Sequence, residues 1–447
     1  MQSDAIFKNM PVGRAILTLA VPSVFSVLVM ILYNMADLFF VARLGDNAQV
    51  AAVSLVGPVF SLLAAVATMA GAGGCSLLAR YIGANEREKA QAVSSLCGWF
   101  CIGFGLAAAV IFNLFCRPLL SLLGTTAETW PYAEQYFRIL SAGAPCMLFS
   151  TALAMLLRGE GAIKEGFLIN LLGTGVNMIL DPVLILLCGM GVSGAALATV
   201  AGNLTSCACF VWYLVRRSPV LTLRPACALR DPGLLTRIMA LGLPNAVSSL
   251  LSGFASTFSN QLLSGYGTDA IAAMGAAGKL TMLTGLVQMG IVMGVQPMMA
   301  YCYGAGDAPR QRELLKKLSQ FTFGLGTVFT VVCFLARRSL LGLFLQAGDA
   351  VHLAELFSIW LLLSGPFIGP YFIASNYLQA TGSALSATVV SVLRQGALLI
   401  PLLYLMHAGF GLPGIAIAHT LADLIATGIG MALFFRQYRR VCQSAVK

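Results

Sequence analysis

Three aspartates of this 447-residue chain, Asp37, Asp181 and Asp423, stand inside long apolar runs. A carboxylate in hydrocarbon costs roughly 3 kcal/mol even on the most forgiving insertion scale, so a membrane span that keeps one is a functional candidate by default. Asp37 closes Tyr33-Asn34-Met35-Ala36-Asp37, with Asn34 three residues back on the same helix face. Asp181 closes Asn177-Met178-Ile179-Leu180-Asp181-Pro182, and Asn177, four residues earlier, points the same way. Pro182 has no N–H to give, which frees a backbone carbonyl beside Asp181. Further on, Thr199 and Asn203 are again four apart. Carboxylates, amides and a hydroxyl form an all-oxygen donor set that suits Na⁺, and the same two acids suit a shared proton. Residue types alone leave both chemistries open. The plain alternative for each aspartate is a neutral acid held by hydrogen bonds and serving packing.

Asp423 has different company. His419 lies four residues before it, and two further cations, Arg394 and Lys279, fall within apolar runs. Pairing Arg394 or Lys279 with Asp423 would neutralise an otherwise costly charge. The expectation is a salt-bridged cluster of Lys279, Arg394, His419 and Asp423, with its role, coupling or packing, left open.

The runs that carry these residues dominate the composition. Hydrophobic residues make up 58% of the chain and charged residues 10%, where soluble domains hold about a quarter charged. Mean hydropathy is +0.86. A bilayer core needs about 20 apolar residues per helix, so this is an all-α polytopic membrane protein. A soluble enzyme, a nucleic-acid binder and a disulfide scaffold are excluded, the twelve cysteines being scattered with no Cys-x-x-Cys. The +10 net charge reads as topology, since membrane proteins gather Lys and Arg in cytoplasmic loops. The first apolar run is far too long for a signal peptide and is expected to span.

Twelve spans are predicted at 15–41, 49–78, 91–114, 133–157, 164–187, 193–215, 236–264, 270–300, 317–335, 352–378, 384–406 and 412–435. Alternate connections then hold 20 of the 27 basic residues on one face and five on the other, which places both termini in the cytoplasm. An internal repeat runs at an offset of about 221. Leu19-Ala20-Val21-Pro22 returns as Leu241-Gly242-Leu243-Pro244, Gly83-Ala84-Asn85-Glu86 as Gly304-Ala305-Gly306-Asp307, and Gly161 as Gly382. Gly191 likewise returns as Gly411, with Thr199 matched to His419. Six spans per half give both halves the same orientation, related by a pseudo-two-fold axis along the membrane normal. The expected organisation is an N-terminal lobe at 1–218, a cytoplasmic linker at 219–235 and a C-terminal lobe at 236–447.

Two such lobes are a transporter architecture. With no Walker A motif the driving force is an ion gradient, H⁺ or Na⁺, and no other cofactor is expected. Pro22 is expected to kink the first span and act as a gate. Tyr33, Gln261, Met289, Met293 and Asn376 are available to line a substrate cavity, aromatic and Met-rich surfaces suiting organic cations and amphipathic drugs.

With these residues in view, the chain resembles the multidrug and toxic compound extrusion (MATE) family over its full length, within the DinF-like, MepA-like bacterial branch. The resemblance rests on Pro22 … Tyr33-Asn34-x-x-Asp37-x-x-Phe40-Val41 … Leu44-Gly45, on Asn177-x-x-x-Asp181-Pro182 followed by Thr199, and on the paired Pro22 and Pro244. It implies antiport: H⁺ or Na⁺ enters, taken up by Asp37, Asn177, Asp181 and Thr199, and an organic cation leaves. Some relatives hold an acidic residue in the seventh span, whereas 236–264 has none. The runner-up is a lipid-linked precursor flippase, or an exporter of an anionic metabolite, using Arg394 and Lys279. No nucleic acid partner is expected, and a monomer in the bilayer is.

Overall fold

In hydrocarbon no water can satisfy a backbone N–H or C=O, so the chain makes those bonds within itself, helix after helix. The structure is a computed structural model that describes residues 4–42, 47–228, 231–345 and 348–444, with the backbone course alone at 4, 34–42, 47 and 444. The first half runs through α1 (Val12–Ala42), α2 (Asn47–Gly83), α3 (Arg87–Leu114), the short α4 (Cys116–Leu122), α5 (Trp130–Glu160), α6 (Ile163–Pro182) and α7 (Gly191–Arg216). After a short connecting helix, α8 (Pro225–Ala228), the second half runs through α9 (Leu234–Ser264), α10 (Thr268–Gly304), α11 (Ala308–Leu341), α12 (Asp349–Leu363), α13 (Gly365–Ala380), α14 (Ala384–Val392), α15 (Leu399–Phe410) and α16 (Leu412–Ser444). Among the described residues eleven stretches are long and apolar enough to cross a bilayer, and α12 with α13 passes as a twelfth, bent by 43°. These twelve fall at the predicted spans.

The bend between α12 and α13 has a local cause. Pro366 has no N–H for the preceding turn and its ring crowds that turn's carbonyl. Side chains bond carbonyls on both sides of the break: Ser364 Oγ donates to Leu361 O at 3.0 Å, and Gln288 Nε2 on α10 donates to Gly365 O at 3.0 Å. Pro145, its match in the first half, lies inside an unbroken α5. Pro22 likewise lies within one continuous helix, α1.

The repeat is legible in the backbone. Asn85 turns the chain with φ 59° and Gly306, its match, with φ 68°. Gly161 and Gly382 close α5 and α13 at φ 89° and 87°. These are left-handed conformations that Gly adopts without strain and Asn tolerates best among side-chain-bearing residues.

By contacts the chain divides into two units, one of residues 1–8 and Phe25–Gly242, the other of Asn9–Val24 and Leu243–Lys447. Beyond Lys8/Asn9, the division falls inside two long helices, two residues after Pro22 in α1 and two before Pro244 in α9. Each unit thus holds the opening turns of a helix whose remainder belongs to the other, an exchange that no linear cut at 219–235 contains. Matched glycines receive these turns. In the first unit Gly73 of α2 leaves room for the carbonyl of Ile238, and in the second Gly294 of α10 leaves room for the carbonyl of Leu19. The segment after α7 is held in the first unit: Ser95 Oγ donates to Arg224 O at 2.6 Å, Trp99 Nε1 to Leu223 O at 2.9 Å, and Ser218 Oγ to the buried Glu160 at 2.6 Å.

A methyl group at either glycine would collide with backbone, which cannot swing aside as a side chain can. Gly73→Ala and Gly294→Ala should each destabilise the protein by about 1–3 kcal/mol. Thermal unfolding of detergent-purified protein measures this, with Gly103→Ala, where a Cβ meets nothing within 4 Å, as the unchanged control.

Candidate functional site

Close approach of α6 and α7 creates the first polar constellation. A Cβ at Gly173 would meet the Ser206 hydroxyl and the carbonyl of Gly202, and one at Gly202 would stand 2.7 Å from the Gly173 carbonyl. Small residues let membrane helices touch backbone to backbone. At that contact Asn177 Nδ2 on α6 lies 3.4 Å from Thr199 Oγ1 on α7, within donating distance. Thr199 Oγ1 donates in turn to Ala195 O at 3.0 Å. Asn203 donates Nδ2 to Thr199 O at 3.0 Å and accepts from Ser150 Oγ on α5 at 3.3 Å. Asn177 and Asp181 are both buried, 3% and 1% exposed. Among the described residues no protein donor reaches Asn177 Oδ1, so an oxygen acceptor stands open beside a buried aspartate. A π-helical turn, Val183–Leu187, follows Pro182 directly. Such turns in membrane helices accompany functional sites more often than chance.

The structure therefore brings Asn177, Thr199 and Asn203 into one network and sets Asp181 one helical turn along α6 from it. Asn34 and Asp37 lie on α1, and their side chains fall outside the described residues. The donor set on the page, an amide oxygen and a hydroxyl with a carboxylate one turn on, suits a hard monovalent cation or a proton. Nothing soft is offered by these three.

The second constellation lies in the other unit. Arg394 Nε donates to Asp423 Oδ1 at 2.7 Å, joining a π-helical turn, Leu393–Ala397, to α16. The side chains are 16% and 22% exposed. The Arg394 guanidinium also stacks over Tyr371 of α13, 4.4 Å from the ring centre, and 5.7 Å from that of Phe372. His419 precedes Asp423 by one turn, and its buried Nε2 has no partner among the described residues. Lys279 belongs elsewhere: it is exposed on α10, with its ammonium 5.1 Å from the Phe344 ring centre. Asp423 thus chooses Arg394, and the expected four-member cluster loses Lys279. Charge spacing in sequence cannot decide between two candidate partners when neither is on the same helix.

The residues expected to line a cavity lie on four different helices. Met289 and Met293 are half-buried on α10, Tyr33 is half-buried on α1, and Gln261 is exposed on α9. Asn376 is buried and spends its amide on Phe372 O at 2.8 Å. Gln288, whose amide the sequence also offers to a substrate cavity, and Glu160 each take a structural role that their spacing does not show. Gln288, fully buried, bonds both Thr284 O and Gly365 O, and Glu160 accepts from Ser218 Oγ and Val220 N. Neither sits in a spacing pattern. The helix break near Pro366 was the one available signal for Gln288.

The family model described as MatE matches twice, over residues 22–183 and 244–405. The chain belongs to the MatE family. Both matches open on the paired prolines, Pro22 and Pro244. The chain is similar to the multidrug export protein MepA of Staphylococcus aureus strain MSSA476, 29% identical over 433 residues, covering 96% of this chain and 95% of that one. Its fold matches a crystal structure of MATE in the straight conformation, with a TM-score of 0.90 at 24% identity and 99% of each chain covered. A crystal structure of MATE in the bent conformation matches at 0.91 and 24% identity, with 100% of each chain covered. This MatE chain is accordingly a multi-pass membrane transporter with two six-span halves.

The α6–α7 contact sets the first constellation, so widening it should undo it. Gly202→Val should destabilise by about 1–3 kcal/mol, whereas Thr199→Val, which removes only a hydrogen-bond partner of Asn177, should cost about 1 kcal/mol. Thermal unfolding in detergent ranks the two, and equal midpoints for both would show the contact to be loose.

Proposed function

We propose that this transporter exports organic, mostly cationic, compounds in exchange for inward H⁺ or Na⁺ by alternating access, in the cytoplasmic membrane of a bacterium with both termini inside. The observation that carries the reading is the buried Asn177 within reach of Thr199, with the buried Asp181 one turn away and an amide oxygen left open. Asp37 completes the coupling site on the strength of its motif in α1. An ion couples two fluxes only if its affinity differs between the two states. A buried carboxylate meets that condition, because its ionised form is tolerable only with a cation in place.

Pro22 supports the same reading. It stands where α1 passes from one unit to the other, and a helix short of one hydrogen bond bends there at least cost. Organic compounds as cargo are supported by the relative named a multidrug export protein. An anionic or lipid-linked cargo would draw on Arg394 and Lys279 together, and of these Arg394 is paired with Asp423 while Lys279 is exposed over the Phe344 ring. We place the transporter in the bilayer as a monomer.

Proteoliposomes loaded with a fluorescent lipophilic cation test the proposal. Imposed pH and Na⁺ gradients are applied separately to wild type, Asp37→Asn and Asp181→Asn. One gradient should drive movement in wild type, and each variant should lose most of it, at least tenfold. Movement that neither gradient drives, or that both variants keep, overturns the reading.

A further inference from the structure

An arginine held inside an apolar bundle invites the question of what it replaces. Its surroundings are a carboxylate and two aromatic faces: Asp423 Oδ1 at 2.7 Å, with the Tyr371 and Phe372 ring centres at 4.4 and 5.7 Å. A carboxylate with aromatic faces is the general recipe for holding a delocalised organic cation, and a guanidinium is one. Packing alone explains the arrangement poorly. Replacing a buried ion pair by apolar residues of similar volume is often neutral or stabilising.

The internal repeat sharpens the contrast. The offset of 221 that relates Gly161 to Gly382 matches Arg394 to Gly173 and Tyr371 to Ser150, and the offset of 220 that relates Gly191 to Gly411 matches Asp423 to Asn203. In the first half Ser150 bonds Asn203, and Gly173 lies against Gly202, the residue before Asn203. The second half sets a charged, aromatic arrangement at the same place.

The position of Arg394 also gives it a way out. It sits in the π-helical turn Leu393–Ala397, between α14 and α15. A π turn carries one residue more than an α turn, so converting it to α geometry rotates the residues beside it by about 100° without unfolding the helix. Gly396, in that turn, adds no side chain of its own to resist the change, and its nearest neighbour is the flexible end of Leu251.

The geometry points to Tyr371, Phe372 and Asp423 as a binding box for organic cations that the chain's own Arg394 fills in place of cargo. Cargo and Arg394 compete for one carboxylate, and the π turn sets whether the arginine is in or out. The box deepens the export reading, since it names a cation-binding site within the second unit, and it rests on that reading for its cargo.

Two measurements on detergent-purified full-length protein test it. Equilibrium binding of tetraphenylphosphonium to Arg394→Ala should be about tenfold tighter than to wild type, because a site blocked most of the time loses apparent affinity in proportion. Arg394→Ala/Asp423→Asn should lose that gain. Methylguanidinium at millimolar concentration should raise the thermal midpoint of Arg394→Ala, and leave wild type and the double variant unmoved. Should Arg394→Ala fail to fold, Arg394→Gln, which keeps a donor toward Asp423, carries both tests. Equal tetraphenylphosphonium affinity in wild type and the single variant, or no rescue by methylguanidinium, overturns the box. Rescue in a protein that moves no cation under either gradient supports the box while the export reading fails.

Discussion

A buried charge in an apolar bundle persists only with a partner, and this constraint organises both halves of the molecule. In the second unit the partner is built in: Arg394 satisfies Asp423, and Tyr371 and Phe372 cover the guanidinium. In the first, Asp181 is more deeply buried than Asp423 and stands one turn along α6 from the Asn177–Thr199 hydrogen bond. In the proposed exchange the first half takes its H⁺ or Na⁺ from outside, whereas the second holds Arg394 against Asp423. That asymmetry, imposed on a symmetric repeat, is the physical core of the transport proposal.

Glycine does the positioning. Where Gly173 and Gly202 face each other, two backbones come within reach and carry Asn177 to Thr199. Where Gly73 and Gly294 face incoming helix starts, they accept carbonyl groups that any side chain would repel. Without a hydrophobic drive between helices in lipid, such close contacts and a few interhelical hydrogen bonds are what hold a bundle together. The same reasoning explains Gln288, which bonds the Gly365 carbonyl at the break between α12 and α13 and so ties that break to α10.

Departures from regular helix gather near the charges. Two π-helical turns lie within spans among the described residues, one directly after Asp181-Pro182 and one containing Arg394. An extra residue in a helical turn is a stored change of register, available at small cost wherever the surroundings permit. Pro22 and Pro244 add softer points where α1 and α9 pass between units. A carrier built this way has its mobile joints and its costly charges in the same few turns.

Much of this was legible in the residues alone. Span number and position follow from apolar runs because a bilayer accepts little else, and the repeat follows from matched Gly and Pro that recur wherever the backbone must turn or approach. The first-half constellation was readable because Asn177, Asp181, Thr199 and Asn203 sit at helical spacings on two consecutive helices. Contacts between helices distant in sequence were not. Arg394 rather than Lys279 for Asp423, the aromatic faces around that guanidinium, the exchange of helix starts between units and the burial of Glu160 and Gln288 were decided by tertiary structure. Spacing fixes which side chains share a face of one helix, but which face meets which neighbour is settled only when all twelve spans pack together.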